Sequence, residues 1–313
     1  MSDSLPTLLL VLGPTGSGKS DLAHRLALEA GGEIVSADAF AVYRGFDVGT
    51  DKPDAARRAE VRYHLIDSAE PSEPYTAGRW AREARDVIDA IAARGRLPIV
   101  CGGTGFYVSA LKESLPPADP RETVLRPALD AWSAGHPEAA RKMLELADPV
   151  SAARIPPANR RYLLRALEIL LATGTRASER ARGRDRWARR WRTVHVGVLR
   201  EREDLYARIA ARVRRMLDSG WSEEVERLLE AGIPLDSNAF RAIGYREVAA
   251  WLQGLTNREE TEKRIVAATR QLARRQKTWL AREPGILWLT PEEALVRTVA
   301  LLAREEAERG RSA

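Results

Sequence analysis

The chain has 313 residues, enough for one large domain or for a core domain that carries an insertion. Its 50 Lys plus Arg and 44 Asp plus Glu give a net charge of +6, which permits binding to a polyanion without requiring it. The single cysteine, Cys101, excludes an intramolecular disulfide, and the four histidines lack the spacing of zinc ligands. Residues 8–12 are apolar but too few to span a membrane, and no signal peptide precedes them, so we expect a cytoplasmic protein.

The first hundred residues predict alternating strands and helices. Short apolar runs typical of buried strands occupy residues 8–12, 33–35, 64–66 and 97–101. Amphipathic patterns typical of helices occupy residues 20–30 and 77–94. Strands that alternate with helices indicate a parallel sheet that is covered on both faces.

Helical periodicity dominates the rest of the chain. The exception is the alternating run at residues 193–199, which predicts a late strand of the same sheet. Further helices are predicted at residues 203–282 and 292–309. We therefore predict an α/β fold in which a parallel sheet flanked by helices, residues 1–115 and 193–313, carries an all-helical insertion, residues 116–192.

A phosphate-binding motif follows the first predicted strand. Residues 13–20 read GPTGSGKS, which fits the P-loop pattern of a glycine, four residues and Gly-Lys-Ser between a strand and a helix. In such loops backbone N–H groups turn inward around an anion, and the helix N-terminus adds positive partial charge. Lys19 would neutralise phosphate oxygens, and the Ser20 hydroxyl would coordinate Mg²⁺. The predicted phosphate-binding residues are Gly13, Pro14, Thr15, Gly16, Ser17, Gly18, Lys19 and Ser20.

The motif alone leaves the phosphate ligand open. ATPases of this class usually end a second strand with an acidic residue, whereas residues 102–105 read Gly-Gly-Thr-Gly. Asp38, just after the second strand, is the nearest acid, and at the carboxyl edge of a parallel sheet it could accept a proton from an attacking amine or hydroxyl. It could equally cap a helix or a turn. Thr104 offers a hydroxyl at the same edge.

Several strings together resemble one family, the tRNA dimethylallyltransferases, also called tRNA isopentenyltransferases. They are GPTGSGKS at 13–20, SADAFAVYRGFDVGTDKP at 36–53, YHLID at 63–67, CGGTGFY at 101–107, RALEILLATG at 165–174, RAIGYRE at 241–247 and ATRQLARRQKTWL at 268–280. They occur in the family's order and are spread over most of the chain, so the set is far more specific than any one string.

The resemblance implies a particular reaction. The P-loop would bind dimethylallyl diphosphate, together with Mg²⁺, in place of a nucleoside triphosphate, and the helical insertion would grip the anticodon arm of tRNA. The dimethylallyl group would pass to N6 of the adenosine just 3′ of the anticodon, with release of diphosphate. Because no water has to be activated, such an enzyme needs no second acidic motif. We expect it to be a monomer.

The resemblance also implies roles for individual residues. Asp38 would be the general base that takes a proton from N6, Thr104 would contact the extruded nucleotide, and Lys19 would bind the leaving diphosphate. Arg208, in the helical run 206–212, would add a cation at the diphosphate, or else lie on a solvated helix face. The implied tRNA contacts are Asp38, Ala39, Phe40, Ala41, Thr104, Arg126, Arg161, Arg165, Arg241, Gly244, Tyr245, Arg246 and Arg275.

The sequence departs from the family pattern at three places. The family usually has Ser and Gln where this chain has Ala39 and Ala41, so we expect readout of the target base to be relaxed or supplied from elsewhere. The segment before residue 165 is one residue shorter than usual, which affects the register of Arg161. Ala281 stands where the family commonly has Arg.

Two further basic segments are candidates for RNA contact. Residues 176–192 contain eight arginines together with Trp187 and Trp191. We expect some of these arginines to contact phosphate and the two tryptophans to pack in the core. Residues 274–279 place three cations and a tryptophan on a helix, which is either a charged surface or a tRNA contact, and the resemblance favours the contact.

Two other functions share part of this pattern. A P-loop kinase of small metabolites would also have the phosphate loop and Asp38, but it would consume ATP and would need no Arg-rich insertion. A non-catalytic RNA-binding protein would need neither Lys19 nor Asp38.

Overall fold

The computed structural model describes residues 5–112, 120–180 and 187–311. The chain forms two compact units, one of Met1–Leu111 with Arg189–Ala313 and the other of Lys112–Ala188, so the second unit interrupts the first in the sequence. The described helices are α1 (Lys19–Glu29), α2 (Ala55–Glu60), α3 (Ala77–Ala93), α4 (Gly105–Lys112), α5 (Pro120–Gly135), α6 (Pro137–Ala147), α7 (Pro149–Arg154), α8 (Arg160–Thr173), α9 (Ala177–Arg180), α10 (Arg202–Asp218), α11 (Trp221–Glu230), α12 (Tyr245–Leu252), α13 (Arg258–Leu280) and α14 (Pro291–Arg311).

A parallel sheet forms the centre of the first unit. Its strands in the described residues are β1 (Thr7–Leu12), β2 (Gly32–Ser36), β3 (Tyr63–His64), β4 (Leu97–Gly102), β5 (Arg192–Val198) and β6 (Ile286–Leu289). They lie in the order β3-β2-β4-β1-β5-β6, and every neighbouring pair is parallel. Since β1 lies between β4 and β5, the loop that follows β1 starts near the middle of the sheet.

The central strands are buried because they are apolar along their length. Every residue of β1 is buried, as expected for a parallel strand with helices on both faces. Leu26 of α1 and Leu302 of α14 pack with Ile99 of β4 in one apolar cluster. Trp80 of α3 is 0 % exposed and donates its indole N–H to the carbonyl of Ser36, 2.8 Å away, which fixes the end of β2 against this helix.

The predicted fold class is confirmed, and the structure corrects one detail of it. The sequence predicts strands at residues 8–12, 33–35, 64–66, 97–101 and 193–199, and the structure has a strand that overlaps each range, although β3 shares only His64 with the range 64–66. The expectation that no strand follows residue 199 was wrong, because β6 pairs with β5, with Ile286 opposite His195. Four residues between two helices are too few for strand alternation to show in the sequence.

The second unit is helical throughout its described part. Leu144 of α6 packs with Leu163, Leu164 and Leu167 of α8 in its core. The spacing of the three leucines on α8 places them on one face of the helix. Gly174 ends α8 with φ +70°, the left-handed conformation that glycine adopts without strain. Across both units, none of the described helices is long and apolar enough to cross a lipid bilayer.

A buried carboxylate caps α7 in this unit. Asp148 is 1 % exposed and accepts hydrogen bonds from the Ser151 hydroxyl at 2.6 Å and from the N–H groups of Ser151 and Ser178 at 3.1 and 3.0 Å. Burial tends to raise the pKa of the Asp148 carboxyl, but these hydrogen bonds outweigh burial and bring the pKa to about 2. The ionised carboxylate therefore ties the start of α7 to α9.

We expect Asp148 to make the stability of this unit depend on pH. Because the folded pKa lies below the unfolded value of 3.8, the stabilising contribution is complete above that value and is lost as pH falls through about 2. A shift of this size corresponds to about 2 kcal/mol of unfolding free energy. Denaturant unfolding measured at a series of acidic pH values should show this loss in the wild type and not in Asp148→Asn.

Glu138→Gln is the matched control, because it neutralises an exposed carboxylate on α6 of the same unit. It should retain the wild-type dependence on pH. Equal dependence in the wild type and in Asp148→Asn would contradict the role of the buried carboxylate.

Candidate active site

Four strand ends meet at one edge of the sheet. Because β2, β4, β1 and β5 are parallel neighbours, their carboxyl ends lie side by side. The strand β1 leads into Gly13, β2 into Asp38, β4 into Gly103 and β5 into Arg200. A cavity of about 530 Å³ lies at this edge. Its lining includes Thr15, Lys19, Ser20, Asp38, Phe40, Asp51, Arg208, Arg212 and Gln276.

The P-loop adopts a conformation that depends on its glycines. Gly16 and Gly18 have φ values of +82° and +93°, in the left-handed region that other residues rarely adopt. Helix α1 begins at Lys19, so its unpaired N–H groups and the positive end of its dipole lie at the loop. This is the arrangement by which a backbone loop holds an anion.

Two arginines hold the outer side of the P-loop. Arg200 donates from Nε to the carbonyl of Ser17 at 2.8 Å, and Arg208 donates from Nε to the carbonyl of Gly16 at 3.1 Å. When the N–H groups of a loop turn inward toward an anion, its carbonyls turn outward and need donors. Arg208, predicted as a diphosphate ligand, thus directs one N–H to the loop itself while it also lines the cavity.

Arg212 and Gln276 both contact Thr15 at the start of the loop. Arg212 Nη1 donates to Thr15 Oγ1 at 2.8 Å, and its Nε lies 3.2 Å from Oδ2 of Asp51. Gln276 Oε1 accepts the Thr15 N–H at 2.8 Å. The sequence predictions missed both residues. Arg212 could have been found from its i,i+4 spacing to Arg208, which places the two on one helix face, whereas Gln276 gave no local signal.

Lys19 is half-buried and lines the cavity. Its Nζ lies 3.5 Å from the carbonyl oxygen of Pro14. Burial lowers the pKa of its ammonium group, and Arg212 lowers it further, while the carboxylates of Asp38 and Asp51 oppose the shift. Burial raises the pKa of the Cys101 thiol to about 11, so this cysteine is a neutral thiol near neutral pH and not a nucleophile.

The turn that follows Asp38 holds its side chain. Asp38 Oδ1 accepts the N–H groups of Phe40 at 2.8 Å and of Ala41 at 3.2 Å, so the residue is a turn aspartate, as one alternative predicted. Its carboxylate is nevertheless exposed at the cavity. Among the described residues, Oδ2 finds no hydrogen-bond donor, which leaves it available to a ligand. Ala39 is half-buried and Ala41 is 6 % exposed.

The Gly-Gly-Thr-Gly turn allows α13 to approach the sheet edge closely. A Cβ on Gly103 would contact Gln276 Nε2 at 2.5 Å, and a Cβ on Gly105 would overlap the ring of Trp279. Both positions therefore require glycine. Thr104 lies between them and begins the turn into α4, but it is not among the residues that line the cavity. Its contact with a nucleotide stays a prediction.

The RAIGYRE segment presents some of its predicted tRNA contacts and buries others. Arg241 and Arg246 are exposed. Tyr245 is 0 % exposed, and its hydroxyl donates to Glu224 Oε1 at 2.6 Å, so its ring cannot contact RNA in this conformation. Gly244 is also buried, and a Cβ there would overlap the ring of Trp221. The two inner residues therefore pack the segment in place.

Three predicted tRNA contacts lie in the second unit. Arg161 is exposed at the start of α8. Arg126 and Arg165 both pair with Glu168, which is 3 % exposed; the Arg165 Nη1 to Glu168 Oε2 distance is 3.2 Å. Their positive charge is thus partly neutralised by a buried carboxylate, while Arg161 makes no such pair among the described side chains.

The Arg-rich stretch is described only in part. Arg182, Arg184 and Arg186 lie outside the described residues. Trp191 is 6 % exposed, in agreement with the predicted core packing. Arg190 pairs with Asp89 at 2.9 Å, so this arginine already has a protein partner.

Helix α13 separates inward and outward residues in the run 274–279. Gln276 and Trp279 pack against the P-loop and the Gly-Gly-Thr-Gly turn. Arg275 is exposed, as are its neighbours Arg274 and Lys277. The run is therefore a charged surface on one side and a structural support for the phosphate loop on the other.

The cavity lining offers oxygen donors that fit a magnesium ion. Ser20 is an exposed residue of the lining, and the carboxylate of Asp38 belongs to the same lining. In phosphate sites Mg²⁺ usually takes one or two protein oxygens and completes its shell with phosphate oxygens and water. No three His, Cys, Asp or Glu side chains cluster as metal ligands in the described part of the chain. The residues thus fit an ion held jointly with a phosphate ligand.

A parallel sheet with a P-loop at its carboxyl edge and a helical insertion defines an α/β protein of the P-loop class. Comparison with known proteins gives the family within that class. Residues 41–283 match the family described as IPP transferase, and residues 6–73 match the family described as isopentenyl transferase. The tRNA dimethylallyltransferase of Thermomicrobium roseum is 44 % identical over 318 residues, which cover 99 % of this chain and 95 % of that protein. The chain belongs to the tRNA dimethylallyltransferase family and is a prenyl-transferring enzyme.

Solved structures agree with this assignment. The full-length tRNA isopentenylpyrophosphate transferase of Bacillus halodurans has a TM-score of 0.71 at 32 % identity and covers 97 % of this chain and 98 % of its own. A eukaryotic dimethylallyltransferase described as acting on tRNA has a TM-score of 0.79 at 25 % identity and covers 95 % of this chain and 78 % of its own. The family predicted from the motifs is confirmed, and the kinase and the non-catalytic alternatives are set aside.

We expect Gly105→Ala to disturb the packing of α13 on the sheet edge. The added Cβ would overlap the ring of Trp279, so α13 would have to move away from the start of α4. Overpacking of this kind costs about 1–3 kcal/mol of unfolding free energy, which denaturant unfolding would measure. The control is Gly78→Ala in α3, where a Cβ would meet only Thr76 Oγ1 at 3.9 Å and should not destabilise. An unchanged unfolding free energy in Gly105→Ala would show that the contact is not as close as described.

Proposed function

We propose that this enzyme transfers the dimethylallyl group of dimethylallyl diphosphate to N6 of the adenosine that is 3′-adjacent to the anticodon in tRNA, with release of diphosphate. The supporting observation is one cavity whose lining combines the P-loop, the cations Lys19, Arg208 and Arg212, and the carboxylate of Asp38. The loop and the cations suit a diphosphate leaving group, and the carboxylate suits proton removal from an attacking amine. Membership of the family supports the same donor and acceptor.

The diphosphate half of the site stabilises the leaving group. As the allylic C–O bond breaks, negative charge grows on the diphosphate and positive charge grows on the allyl fragment. Donors that are already aimed at such charge usually lower the barrier most. The amides of the loop from Gly16 onward, the Lys19 ammonium and an N–H group of Arg212 would supply them. Because Arg200 and Arg208 hold the loop carbonyls, the amides need no rearrangement when the diphosphate binds.

The acceptor half of the site takes up one proton. The lone pair of adenine N6 forms the new bond to the allylic carbon, the C–O bond to diphosphate breaks, and the proton on N6 passes to Asp38. The free Oδ2 of Asp38 is the atom proposed to accept it, since Oδ1 is held by two backbone N–H groups. Thr104 is proposed to contact the nucleotide beside it. Ala39 and Ala41 have no polar side-chain atoms, so base readout is either relaxed or supplied by other groups.

The Ser20 hydroxyl would hold Mg²⁺ together with oxygens of the diphosphate. When bound, the ion would add positive charge at the leaving group and orient it. The protein's own contribution at this position is the hydroxyl of Ser20, an exposed residue near the start of α1 that lines the cavity.

Exposed basic residues are proposed to bind the tRNA. Arg241, Arg246 and Arg275 in the first unit and Arg161 in the second are solvent-exposed and can contact phosphate. We also propose that the helical insertion, residues 116–192, binds the anticodon arm. The target adenosine must leave the stack to reach the cavity, which costs a few kcal/mol and least for an unpaired base.

Incubation of the protein with labelled dimethylallyl diphosphate, Mg²⁺ and unmodified tRNA tests the whole proposal. The label should appear on one adenosine beside the anticodon, and Mg²⁺ with dimethylallyl diphosphate should raise the melting temperature more than Mg²⁺ with ATP. Failure to use the prenyl donor, combined with hydrolysis or transfer of the terminal phosphate of ATP, would overturn it.

Asp38→Asn tests the proposed base. The amide keeps the size of the carboxylate but cannot take a proton, so the single-turnover transfer rate should fall about 10²-fold to 10⁴-fold. Binding of tRNA, measured by filter retention, should stay within about twofold because no phosphate contact is lost. Asp86→Asn, which neutralises an exposed aspartate on α3, is the control and should transfer at the wild-type rate. Full activity in Asp38→Asn would mean that another group removes the proton.

A further inference from the structure

A carboxylate outside the catalytic cavity organises the loop that forms one of its walls. Glu224 of α11 is 3 % exposed. Its Oε2 accepts the N–H groups of Asp47 at 2.9 Å and Val48 at 2.7 Å, and its Oε1 accepts the Gly49 N–H at 3.5 Å and the Tyr245 hydroxyl at 2.6 Å. All four donors are uncharged. The buried charge is therefore balanced by a loop that folds around it, as backbone N–H groups fold around a bound anion.

The loop has little freedom to adopt another conformation. A Cβ on Gly49 would overlap the indole of Trp221, so the backbone lies directly against α11. On the far side, the Lys52 side chain is 1 % exposed and donates to the Tyr43 carbonyl at 2.6 Å, to Asp47 Oδ1 at 2.7 Å and to Asp67 Oδ1 at 2.6 Å. One buried anion and one buried cation thus hold residues 47–52 between them.

The end of this loop contacts the phosphate site through Asp51. Asp51 has φ +55°, a left-handed conformation that aspartate tolerates better than most residues. Its Oδ2 lies 3.2 Å from Nε of Arg212, whose Nη1 donates to Thr15 of the P-loop. A guanidinium has a fixed, planar set of N–H groups, so holding two of its nitrogens sets the direction of the third.

The third nitrogen of Arg212 faces no competing acceptor among the residues that the structure describes. Within the described chain, Nη2 donates to no protein group, while Nε and Nη1 are engaged. Arg212 lines the cavity together with Lys19. The two protein contacts can therefore persist while Nη2 donates to a phosphate oxygen.

We propose that Glu224 and Asp51 are positioning residues for the diphosphate site: Glu224 folds the loop 47–51, and Asp51 at its end aims Arg212 at the leaving group. Neither residue is proposed to touch substrate. The inference rests on the proposed function, because it assigns a role to a cation in a site that binds dimethylallyl diphosphate.

A double-mutant cycle with Arg212→Ala separates positioning from general stability. Glu224→Ala removes the carboxylate that accepts the N–H groups of the loop, and it should lower kcat/KM for dimethylallyl diphosphate about 10-fold. The inhibition constant of inorganic diphosphate should rise by a matching factor. The Kd for tRNA should stay within about twofold. In the Arg212→Ala background the same substitution should change kcat/KM by less than about twofold, because the group that it positions is absent.

Two variants sharpen the cycle. Glu224→Gln keeps an oxygen that can accept the N–H groups of Asp47 and Val48, so its kcat/KM should lie within about threefold of the wild-type value. A kcat/KM as low as that of Glu224→Ala would mean that the negative charge of Glu224 is required. Glu223→Ala removes the exposed neighbouring carboxylate, which accepts the Ser222 hydroxyl and none of the N–H groups of Asp47, Val48 and Gly49, and should behave as the wild type.

Asp51→Ala keeps the test decisive if Glu224→Ala does not fold, because Asp51 is an exposed side chain. It should lower kcat/KM for the donor about threefold in the wild type and leave it unchanged in Arg212→Ala. Unchanged kcat/KM in both single variants, or equal losses with and without Arg212, would overturn the inference. Absence of transfer in the wild type would overturn the proposed function instead, and calorimetric titration with inorganic diphosphate would still report on the network.

Discussion

The site depends on a loop whose backbone N–H groups turn toward its interior. A peptide group cannot turn its N–H inward without turning its carbonyl outward, so the loop needs donors on its outer side. Arg200 and Arg208 provide them for the carbonyls of Ser17 and Gly16. The sheet order meets this requirement, because β5 lies beside β1 and the chain after β5 brings both arginines to the P-loop.

Buried charges make the walls of the cavity rigid. Moving an isolated charge out of water costs several kcal/mol, so each buried ion has to collect enough partners to offset that cost. Glu224 does so with backbone N–H groups and a tyrosine hydroxyl, and Lys52 does so with a carbonyl and two carboxylates. A loop that satisfies such an ion can hardly change conformation without exposing an unpaired charge. Rigidity of this kind suits a site that acts through prearranged electrostatics.

The motifs that the sequence shows clearly are those whose parts are close together in the chain. The P-loop, Asp38 and the Gly-Gly-Thr-Gly turn each follow an apolar run, so both their chemistry and their place at the sheet edge could be predicted. Tyr245 shows the limit of this approach. It belongs to a motif that resembles a tRNA-contacting segment, yet its ring is buried and its hydroxyl serves Glu224. A string of letters does not distinguish residues that face a partner from residues that hold the string in place.

The sequence by itself determined the fold class, the phosphate loop and the family, because these depend on local periodicity and on residues a few positions apart. Only the tertiary structure decided which side chains complete the site. Gln276 accepts the N–H of Thr15, 261 residues away in the chain, and Glu224 binds the N–H of Asp47, 177 residues away. The partner of a buried polar group is whichever donor or acceptor the packing of distant elements brings within about 3 Å, and no pattern within one element records that choice.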